Sequence, residues 1–340
     1  MPSASFEAAD LTDLAAGVLL AAGATEDAAS LSAELLVRAE LAGHGSHGLR
    51  LLPHYVACCN SGMIDPASTP TVERDDGATV TLDGGLALGQ VAGMVAIDLA
   101  VDRARAHGVA VVVMRRSGHL GRLADYVERA ASRGAIAIAA ANDSGLNQVV
   151  APYGSTEPRL ATNPIAIGIP RAERPHLVLD MSTSVVSHGT LDRMELEGRP
   201  IPDAWRTGDA LQPLGGPKGT GLALAVDVLA GILSGAGFSG HSADADHQGV
   251  WMVAIEPTRF LAAGALEDGV EQLIGHVHTA APHDPGAAVL VPGEPAARST
   301  EHHLTHGIPI PPPLWADLVA CATAAAVPVP DPIHAREEQP

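Results

Sequence analysis

The sequence predicts an α/β fold, and three observations support this prediction. Segments with helical spacing of apolar residues alternate along the chain with short apolar runs that are typical of buried strands. Hydrophobic residues make up 46% of the 340 residues, which is enough to build a large core. Aromatic residues make up only 3%, so this core must consist mainly of Ala, Val, Leu and Ile. A chain of this length allows about two domains.

Helices and strands alternate in the N-terminal half of the chain. Helical spacing over 11–42 is interrupted at Gly23, which predicts two helices joined by a turn. Further helices are predicted over 90–107 and 121–133. Strands are predicted over 78–83, which alternates with a period of two, and over two continuous apolar runs at 109–114 and 135–141.

The C-terminal half has a less regular pattern. Strands are predicted for IAIGI and HLVLDM within 163–182, and over 250–256 and 289–294. Helices are predicted over an apolar, buried segment at 218–234 and over 258–278, 296–306 and 314–326. The remaining segments are predicted to be loops at 198–217 and 239–249, an extended stretch at 307–313 and a frayed tail at 327–340.

Charge and cysteine usage limit the possible partners and compartments. The net charge of −19 argues against a nucleic acid or an anionic membrane as partner. Three cysteines, of which Cys58 and Cys59 are adjacent, cannot form a disulfide framework and favour a reducing compartment. The N-terminus lacks the basic region of a signal peptide, and the apolar stretch 221–238 contains Asp227 and internal glycines. We therefore expect a cytoplasmic protein without a membrane span.

The motif GHGSHGLR (43–50) is the first candidate for chemistry. It places Ser46 beside His47 between glycines, which let a ligand approach the backbone closely. Histidine is the most common acid or base near neutral pH. A helix end with surface histidines fits the same pattern. No third ligand with suitable spacing accompanies His44 and His47, so no metal site is predicted.

The motif RRSGHLGR (115–122) follows a predicted strand and opens a predicted helix. Ligands bind at such strand ends in open α/β sheets, and the free N–H groups of a helix N-terminus attract anions. His119 and Arg122 are therefore candidate site residues, with an ordinary polar loop as the alternative.

Two further segments carry candidate residues. Asp180 ends an apolar strand in VLDMSTS (178–184), where a carboxylate needs a partner, either a histidine that it orients or a helix N-terminus. Lys218 in GGPKGTG (215–221) opens a helix and suits a phosphate. Residues 235–240 match GxGxxG, but they follow a predicted helix and open a polar loop, so no Rossmann site is predicted.

The chain resembles the type 2 malate/L-lactate dehydrogenase-like oxidoreductases over about residues 10–325. The GHxSHG form is most similar to the hydroxycarboxylate dehydrogenase branch. The resemblance is carried by several blocks in the same order, among them LAGHGSHGLRLLPHYV (41–56), VTLDGGLALGQVA (80–92), SGHLGRLADYVERAASRG (117–134), TNPIAIGIP (162–170), LDMSTS (179–184) and GPKGTGLALAVDVLAGILSGAGF (216–238).

The resemblance implies a non-Rossmann mixed central sheet with helices, and a helical part formed by the N- and C-terminal segments. It also implies a homodimer. The implied divisions are an N-terminal helical segment (1–62), a central α/β domain that binds cofactor and substrate (63–286), a C-terminal segment that packs with the N-terminal helices (287–330) and a tail (331–340).

The implied activity is hydride transfer between NAD or NADP and a small 2-hydroxy or 2-oxo acid, or a cyclic imino acid. The residues implied at the reacting centre are Ser46, His47, His119 and Asp180. Those implied to contact the cofactor are Gly121, Arg122, Leu123, Asp180, Met181, Ser182, Lys218, Gly293 and Glu294. Those implied to contact the substrate are Arg50, His54, Thr162 and Asn163.

The chain departs from the family pattern where anions are expected to bind. Leu51 stands where many members have Arg, and Thr190 stands where Lys is usual. The usual Arg-x-Glu-Arg pattern is replaced by Thr300, Glu301, His302 and His303. The loop over 202–218 is also shorter than usual. Losing one charged hydrogen bond costs ~1.5–3 kcal/mol. A repurposed non-redox enzyme on the same scaffold, such as a lyase, cyclase or isomerase, is therefore the alternative hypothesis.

Overall fold

A seven-stranded mixed sheet forms the centre of the computed structural model, which describes residues 3–143, 145, 148–196, 198–242, 247–284 and 286–333. Its strand order is β2-β3-β4-β12-β5-β6-β7, in which β3 and β4 are parallel and all other neighbours are antiparallel. The strands of this sheet are β2 (Thr71–Asp75), β3 (Thr79–Asp83), β4 (Val109–Ser117), β5 (Ile136–Asp143), β6 (Ile165–Ile169), β7 (Leu177–Met181) and β12 (Gln248–Ile255).

Six short strands form three further pairs outside this sheet. The paired strands are β1 (Ala4–Phe6) with β13 (Ile308–Ile310), β8 (Arg206–Thr207) with β9 (Ala210–Leu211), and β10 (Gly237–Phe238) with β11 (His241–Ser242). The helices are α1 (Ala8–Ala21), α2 (Glu26–Leu41), α3 (Leu52–Ser61), α4 (Gly89–His107), α5 (Ala124–Ser132), α6 (His188–Leu196), α7 (Pro217–Val226), α8 (Ala265–His278), α9 (Glu294–His306) and α10 (Pro312–Ala324).

The sheet is covered by helices on both faces. One face packs against α4 and α5 through a large apolar cluster that includes Ile97, Val127 and Met252. The other face packs against α7 and the π-helical segment Asp227–Ile232, through Ala140 and Ala230. Alternate strand residues contact different helices because successive side chains point to opposite faces. The predicted α/β class with a mixed central sheet is confirmed.

The chain termini form a second apolar cluster beside the sheet. Strand β1 pairs with β13, and helices α1, α2, α3 and α10 pack around Phe6, Leu36 and Leu318. This is the helical part that was expected from the N- and C-terminal segments. The division of the chain at residues 62 and 287 stays a prediction.

Most predicted elements lie where the pattern placed them, but β1, β2, α3 and α6 were missed, as were the two-residue strands β8, β9, β10 and β11. The edge strand β2 has five exposed residues, TVERD, and therefore no alternation to detect. Helix α3 begins with a proline at its second position and contains two adjacent cysteines, and it has only three buried residues. Strand β1 is three residues long, and helix α6 is nine residues long with a glycine at its second position.

Two predictions were wrong. Residues 289–294 form no strand; Pro292 lacks an N–H, and its carbonyl accepts a single hydrogen bond from the N–H of Val178, at 3.3 Å. The predicted helix over 218–234 is not buried all round. Asp227 points inward and accepts hydrogen bonds from Ser239, so the opposite, apolar side faces out.

The predicted loops and the tail lie only partly within the described residues. The loop over 239–249 contains strand β11, and its residues 243–246 lie outside them, as does 334–340 of the predicted tail. The GxGxxG match over 235–240 forms a turn and the β10–β11 hairpin after a helical segment, which is not a strand-to-helix junction. Within the described ranges, no helix is long and apolar enough to cross a membrane.

Candidate active site

A cavity of about 440 Å³ lies at the edge of the sheet where β4 and β5 end and β6 and β12 begin. Its wall combines the loop after α2, the loop between β4 and α5, and the segment that precedes β6. The predicted site residues that line it are Ser46, His47, Arg50, His54, His119, Gly121, Leu123, Thr162 and Asn163. Residues from distant parts of the sequence therefore meet where the two histidine motifs predicted a site.

The loop that carries His47 rests on a buried carboxylate. Glu40, in the last turn of α2, accepts a hydrogen bond of 2.8 Å from the N–H of Leu49. A Cβ at Gly48 would overlap the Glu40 carboxylate, so the loop needs glycine at this position. The hydroxyl of Ser46 lies 2.9 Å from Nδ1 of His47. Burial raises the pKa of Glu40, while the neighbouring Arg193 and Arg50 oppose this shift.

His119 follows β4 and faces His47 across the cavity. The two rings are stacked, with their centroids 6.0 Å apart and their planes at 15°. Nδ1 of His119 lies 2.9 Å from the hydroxyl of Tyr55 and accepts a 3.2 Å hydrogen bond from the N–H of Gly121. These contacts occupy Nδ1, so Nε2 is the ring nitrogen that is left for a ligand.

Both histidines are neutral at pH 7. Burial lowers the pKa of His119 to about 4, and the nearby His54 and Arg50 act in the same direction. Burial lowers the pKa of His47 to about 3, again assisted by His119. The uncharged form is favoured because the low-dielectric surroundings and the nearby positive charges both oppose protonation. The pair can therefore offer N–H donors and lone pairs without carrying charge.

Asn163 supplies an unused polar atom to the cavity. Its side chain is fully buried, and its Nδ2 donates a hydrogen bond of 3.0 Å to the carbonyl of Ala223. Its Oδ1 has no hydrogen-bond partner among the residues that the structure describes. A buried acceptor without a partner is costly, and this atom is therefore placed to receive a donor from a bound molecule.

A second cavity of about 730 Å³ begins on the other side of the Gly121–Leu123 loop. Gly293, Glu294 and Arg122 line it, together with three arginines that the sequence analysis did not select: Arg38, Arg174 and Arg298. Gly293 has a φ of +100°, and a Cβ there would lie 2.5 Å from the carbonyl oxygen of His176. Glu128, in the same wall, pairs with Arg38 at 2.9 Å and with Arg122 at 3.1 Å. Arg174, Arg298 and a backbone open to close approach therefore remain as the features of this cavity that suit an anionic ligand.

Arg122 and Asp180 are bound within the protein framework. The Arg122 guanidinium is 7% exposed and forms ion pairs with Asp125 at 3.0 Å and Glu128 at 3.1 Å. Asp180 accepts a 2.8 Å hydrogen bond from the N–H of Ala124, at the start of α5. In the described residues no hydrogen bond joins Asp180 to His47 or His119. Asp180 therefore caps the N-terminus of α5 and does not orient an imidazole ring directly.

Four predicted cofactor residues, Asp180 among them, line neither of these two cavities. Met181 and Ser182 lie at and just after the end of β7, and Lys218 is exposed near the start of α7. Two residues that contact the site closely were missed, Tyr55 and Gln248. Gln248 accepts a hydrogen bond of 2.9 Å from the N–H of Leu120, across 128 residues of sequence, so no local signal could have revealed it.

The departures from the family pattern have different surroundings. Leu51 lines the smaller cavity, and the hydroxyl of Thr190 lies 2.8 Å from that of Ser187. Thr300 and Glu301 line the larger cavity, where Arg298 and Arg174 supply positive charge. Within the described ranges, no group of three His, Cys, Asp or Glu side chains is arranged to hold a metal ion.

Comparison with known proteins extends this description to the whole chain. Residues 6–319 match the family model described as malate/L-lactate dehydrogenase. Malate dehydrogenase of Pyrococcus horikoshii is 34% identical over 86% of this chain and 88% of its own length. Hydroxycarboxylate dehydrogenase B of Escherichia coli O157:H7 is 31% identical over 95% of each.

Solved structures give the same result. The structure of the Pyrococcus horikoshii malate dehydrogenase superposes with a TM-score of 0.87 at 30% identity, covering 96% of this chain and 97% of that one. The Δ1-piperideine-2-carboxylate reductase of Pseudomonas syringae superposes with a TM-score of 0.79 at 29% identity, covering 94% and 99%. These relatives are dehydrogenases or reductases and give no support to the non-redox alternative. The chain belongs to the malate/L-lactate dehydrogenase family.

Proposed function

We propose that this dehydrogenase transfers a hydride between NAD or NADP and a small 2-hydroxy or 2-oxo acid, or a cyclic imino acid. The observation that carries the proposal is the pair of neutral, stacked histidines facing one cavity. A proton must reach or leave the substrate heteroatom as the hydride moves, and a positioned imidazole serves this purpose. Relatives named as malate dehydrogenase and as an imino acid reductase support this range of substrates.

The larger cavity is proposed to hold the dinucleotide. Its phosphates would contact Arg174, Arg298 and the backbone at Gly293 and Glu294. Arg122, already paired with Asp125 and Glu128, and Gly121 and Leu123, in the wall of the smaller cavity, stay proposed cofactor residues that the family resemblance implies. The nicotinamide, when bound, supplies or accepts the hydride. Met181, Ser182, Asp180 and Lys218 stay proposed cofactor residues that are implied by the family resemblance alone.

The smaller cavity is proposed to hold the substrate. Arg50 is the candidate partner of the substrate carboxylate, because a guanidinium suits that planar anion. Asn163 Oδ1 would accept a hydrogen bond from the bound molecule, and His54 and Thr162 complete the wall. Nε2 of His119 would exchange the proton with the substrate, with Ser46 and His47 on the opposite side.

The proposed assembly is a cytoplasmic homodimer with a small-molecule substrate and without a nucleic acid or membrane partner. The outward side of α7 and of the segment that follows supports the dimer, because it exposes five large apolar side chains. The net charge of −19 and the cysteine usage support the remaining points.

Titration of the purified protein with NADH and with NADPH, followed by nicotinamide fluorescence, tests the proposed function. Saturable binding of one or both at micromolar concentration is expected, since the arginine-lined cavity suits the phosphates.

His119→Gln should keep this binding and lose turnover by about 10²–10⁴-fold, as is typical when a general acid or base is removed. His283→Gln, at a side chain that is 98% exposed, is the control. Absence of binding up to millimolar concentration of both dinucleotides would contradict the proposal.

A further inference from the structure

A buried tyrosine and a buried glutamine lie behind His119, on the side away from its free nitrogen. Tyr55 and Gln90 are each 1% exposed. The Tyr55 hydroxyl lies 2.9 Å from Nδ1 of His119 and 3.3 Å from the carbonyl oxygen of the same residue. Nε2 of Gln90 donates a 3.0 Å hydrogen bond to that hydroxyl. None of the site residues selected from the sequence accounts for this arrangement.

Nδ1 of His119 has more donors around it than it can accept. The N–H of Gly121 points at Nδ1 from 3.2 Å, and a backbone N–H can only donate. The Tyr55 hydroxyl can donate to Nδ1 as well, but an imidazole nitrogen has a single lone pair. Tyr55 has a second acceptor within reach, the His119 carbonyl oxygen, to which it can turn its hydrogen.

Two hydrogen-bond patterns therefore fit the same heavy atoms. In the first pattern His119 carries its hydrogen on Nε2, and Nδ1 accepts from Tyr55 or Gly121. In the second pattern Nδ1 carries a hydrogen and donates it to the Tyr55 oxygen, Tyr55 donates to the His119 carbonyl, and the N–H of Gly121 gives up its hydrogen bond to Nδ1. The second pattern leaves the Nε2 lone pair free when the ring is neutral, and it also accommodates the doubly protonated ring.

We propose that Tyr55, held by Gln90, is a positioning residue whose hydroxyl rotates with the proton of His119 and so makes both ring nitrogens usable during the reaction. This inference rests on the proposed function. In reduction, the neutral ring first takes up a proton from solvent; the Nε2–H bond of this protonated ring then breaks as an O–H or N–H bond forms on the substrate. The electrons arrive with the hydride, so the ring gives up only a proton, and Nδ1–H remains bonded to Tyr55.

The other groups that face His119 cannot take this role. His47 stacks on the ring, and His54 and Arg50 add positive charge that opposes protonation. Asp143 also lines the smaller cavity, but the pKa of His119 is lowered, so its carboxylate does not outweigh the effect of burial on the ring. Burial raises the pKa of Tyr55 well above its ordinary value, so the hydroxyl keeps its hydrogen in both patterns.

The first test is Tyr55→Phe in the full chain, with turnover measured in both directions. We expect kcat to fall by about tenfold or more in both directions, since Haldane's relation couples them, while KM and dinucleotide affinity change by less than about threefold. The acidic limb of the oxidative pH profile should move down by about one unit, because the charged ring loses its acceptor at Nδ1.

Tyr126→Phe is the matched control: Tyr126 is also fully buried, and its hydroxyl donates to the Leu120 carbonyl. That variant is expected to leave the pH limb in place.

The second test does not need turnover. Nitrogen NMR of chain labelled at histidine reports the tautomer of His119, whose signals are identified by their loss in His119→Gln. Tyr55→Phe should shift the neutral ring towards Nε2–H. Gln90→Met should shift it towards Nδ1–H, because Tyr55 becomes a weaker donor when Gln90 no longer polarises its hydroxyl.

The two tests separate this inference from the proposed function. Opposite shifts in the two variants support the positioning role, and unchanged shifts, or shifts in the same direction, overturn it. Unchanged kcat and pH profile in folded Tyr55→Phe overturn it as well. Failure of dinucleotide binding would contradict the proposed function while leaving the tautomer result readable.

Discussion

The neutral state of the cavity histidines results from burial and not from a specific partner. Burial is the largest cause of the lowered pKa at His44, His47 and His119 alike. A charged neighbour of the opposite sign would have raised these pKa values instead. The histidines that are proposed to move a proton therefore also lower the free energy of unfolding in acid.

His119 is expected to destabilise the folded protein as the pH falls from 6.5 towards 4. Its pKa is about 4 in the folded chain, against an ordinary value of 6.5, so between these values the unfolded chain binds more protons. Well above pH 6.5, His119 is neutral in both the folded and the unfolded chain, so it does not make the free energy of unfolding depend on pH there. The raised pKa values of Glu40, Asp125 and Asp180 act in the opposite direction, because the folded state then favours their protonated forms as the pH falls.

Urea unfolding at pH 7.5 and pH 5 isolates this effect. In His119→Gln the free energy of unfolding should fall by about 1–2 kcal/mol less between the two pH values than it does in the wild type. His283→Gln, at an exposed position, should behave like the wild type. Equal losses in the wild type and His119→Gln would show that His119 is not held neutral by the fold.

At the scale of elements, the start of α4 fixes the loop that carries His119. A Cβ on Gly89 would overlap the carbonyl oxygen of His119, and the carbonyl of Gly118 would also be too close. These are backbone atoms, which cannot rotate out of the way. The close approach of helix and loop therefore requires glycine at this position, and it places Gln90 directly under the site.

Gly89→Ala is expected to lower the free energy of unfolding by about 1–3 kcal/mol and to lower kcat, because the loop with His119 must move. Gly269→Ala in α8 is the matched control, since a Cβ there meets nothing within 4 Å. The free energy of unfolding of Gly269→Ala should equal that of the wild type or exceed it by about 0.5–1 kcal/mol. Chemical unfolding and steady-state kinetics measure both, and a Gly89→Ala protein with wild-type stability and kcat would contradict the argument.

The elements also show how far the sequence predicts this site. Local periodicity is sufficient to place β4, β5, α4 and α5, because each buries one face or both faces. Local periodicity does not show which strands pair with each other, so the position of β12 between β4 and β5 could not be predicted from the residues alone. The same limit applies to Tyr55 and Gln90, which reach His119 only through packing of distant helices.

For the molecule as a whole, the local charge of the cavities differs from the total charge. The chain carries a net charge of −19, yet four arginines line the larger cavity. The proposed dinucleotide would therefore have to be held by short-range contacts, because the overall field of the protein repels an anion. Arg174 and Arg298 are the candidates, since Glu128 pairs with Arg38 and Arg122. We expect Arg298 and Arg174, which line the same cavity as Thr300 and Glu301, to compensate in part for the basic residues missing there. Binding should accordingly weaken with increasing salt.

The molecule as a whole also leaves one apolar surface uncovered. The apolar side of α7 and the π-helical segment consists of five side chains that are 39–58% exposed: Leu222, Leu224, Val228, Ile232 and Leu233. Monomeric proteins rarely expose contiguous apolar patches of this kind. Exposed Lys218, near the start of α7, would lie near the same interface, where it could contribute to the site of a second copy.

The double variant Leu224→Glu, Ile232→Glu is expected to convert a wild-type dimer into a monomer, because two carboxylates would have to be buried without partners. Light scattering after gel filtration, at micromolar protein concentration, gives the mass of each form. Leu273→Glu, at an exposed leucine of α8, is the control and should stay dimeric. A wild-type monomer, or a double variant that remains dimeric, would remove this surface as the interface. The dinucleotide affinity of the monomeric double variant should also be measured, with His283→Gln as the control. If only the monomer loses affinity, Lys218 is the first residue to replace, because it would then act across the interface.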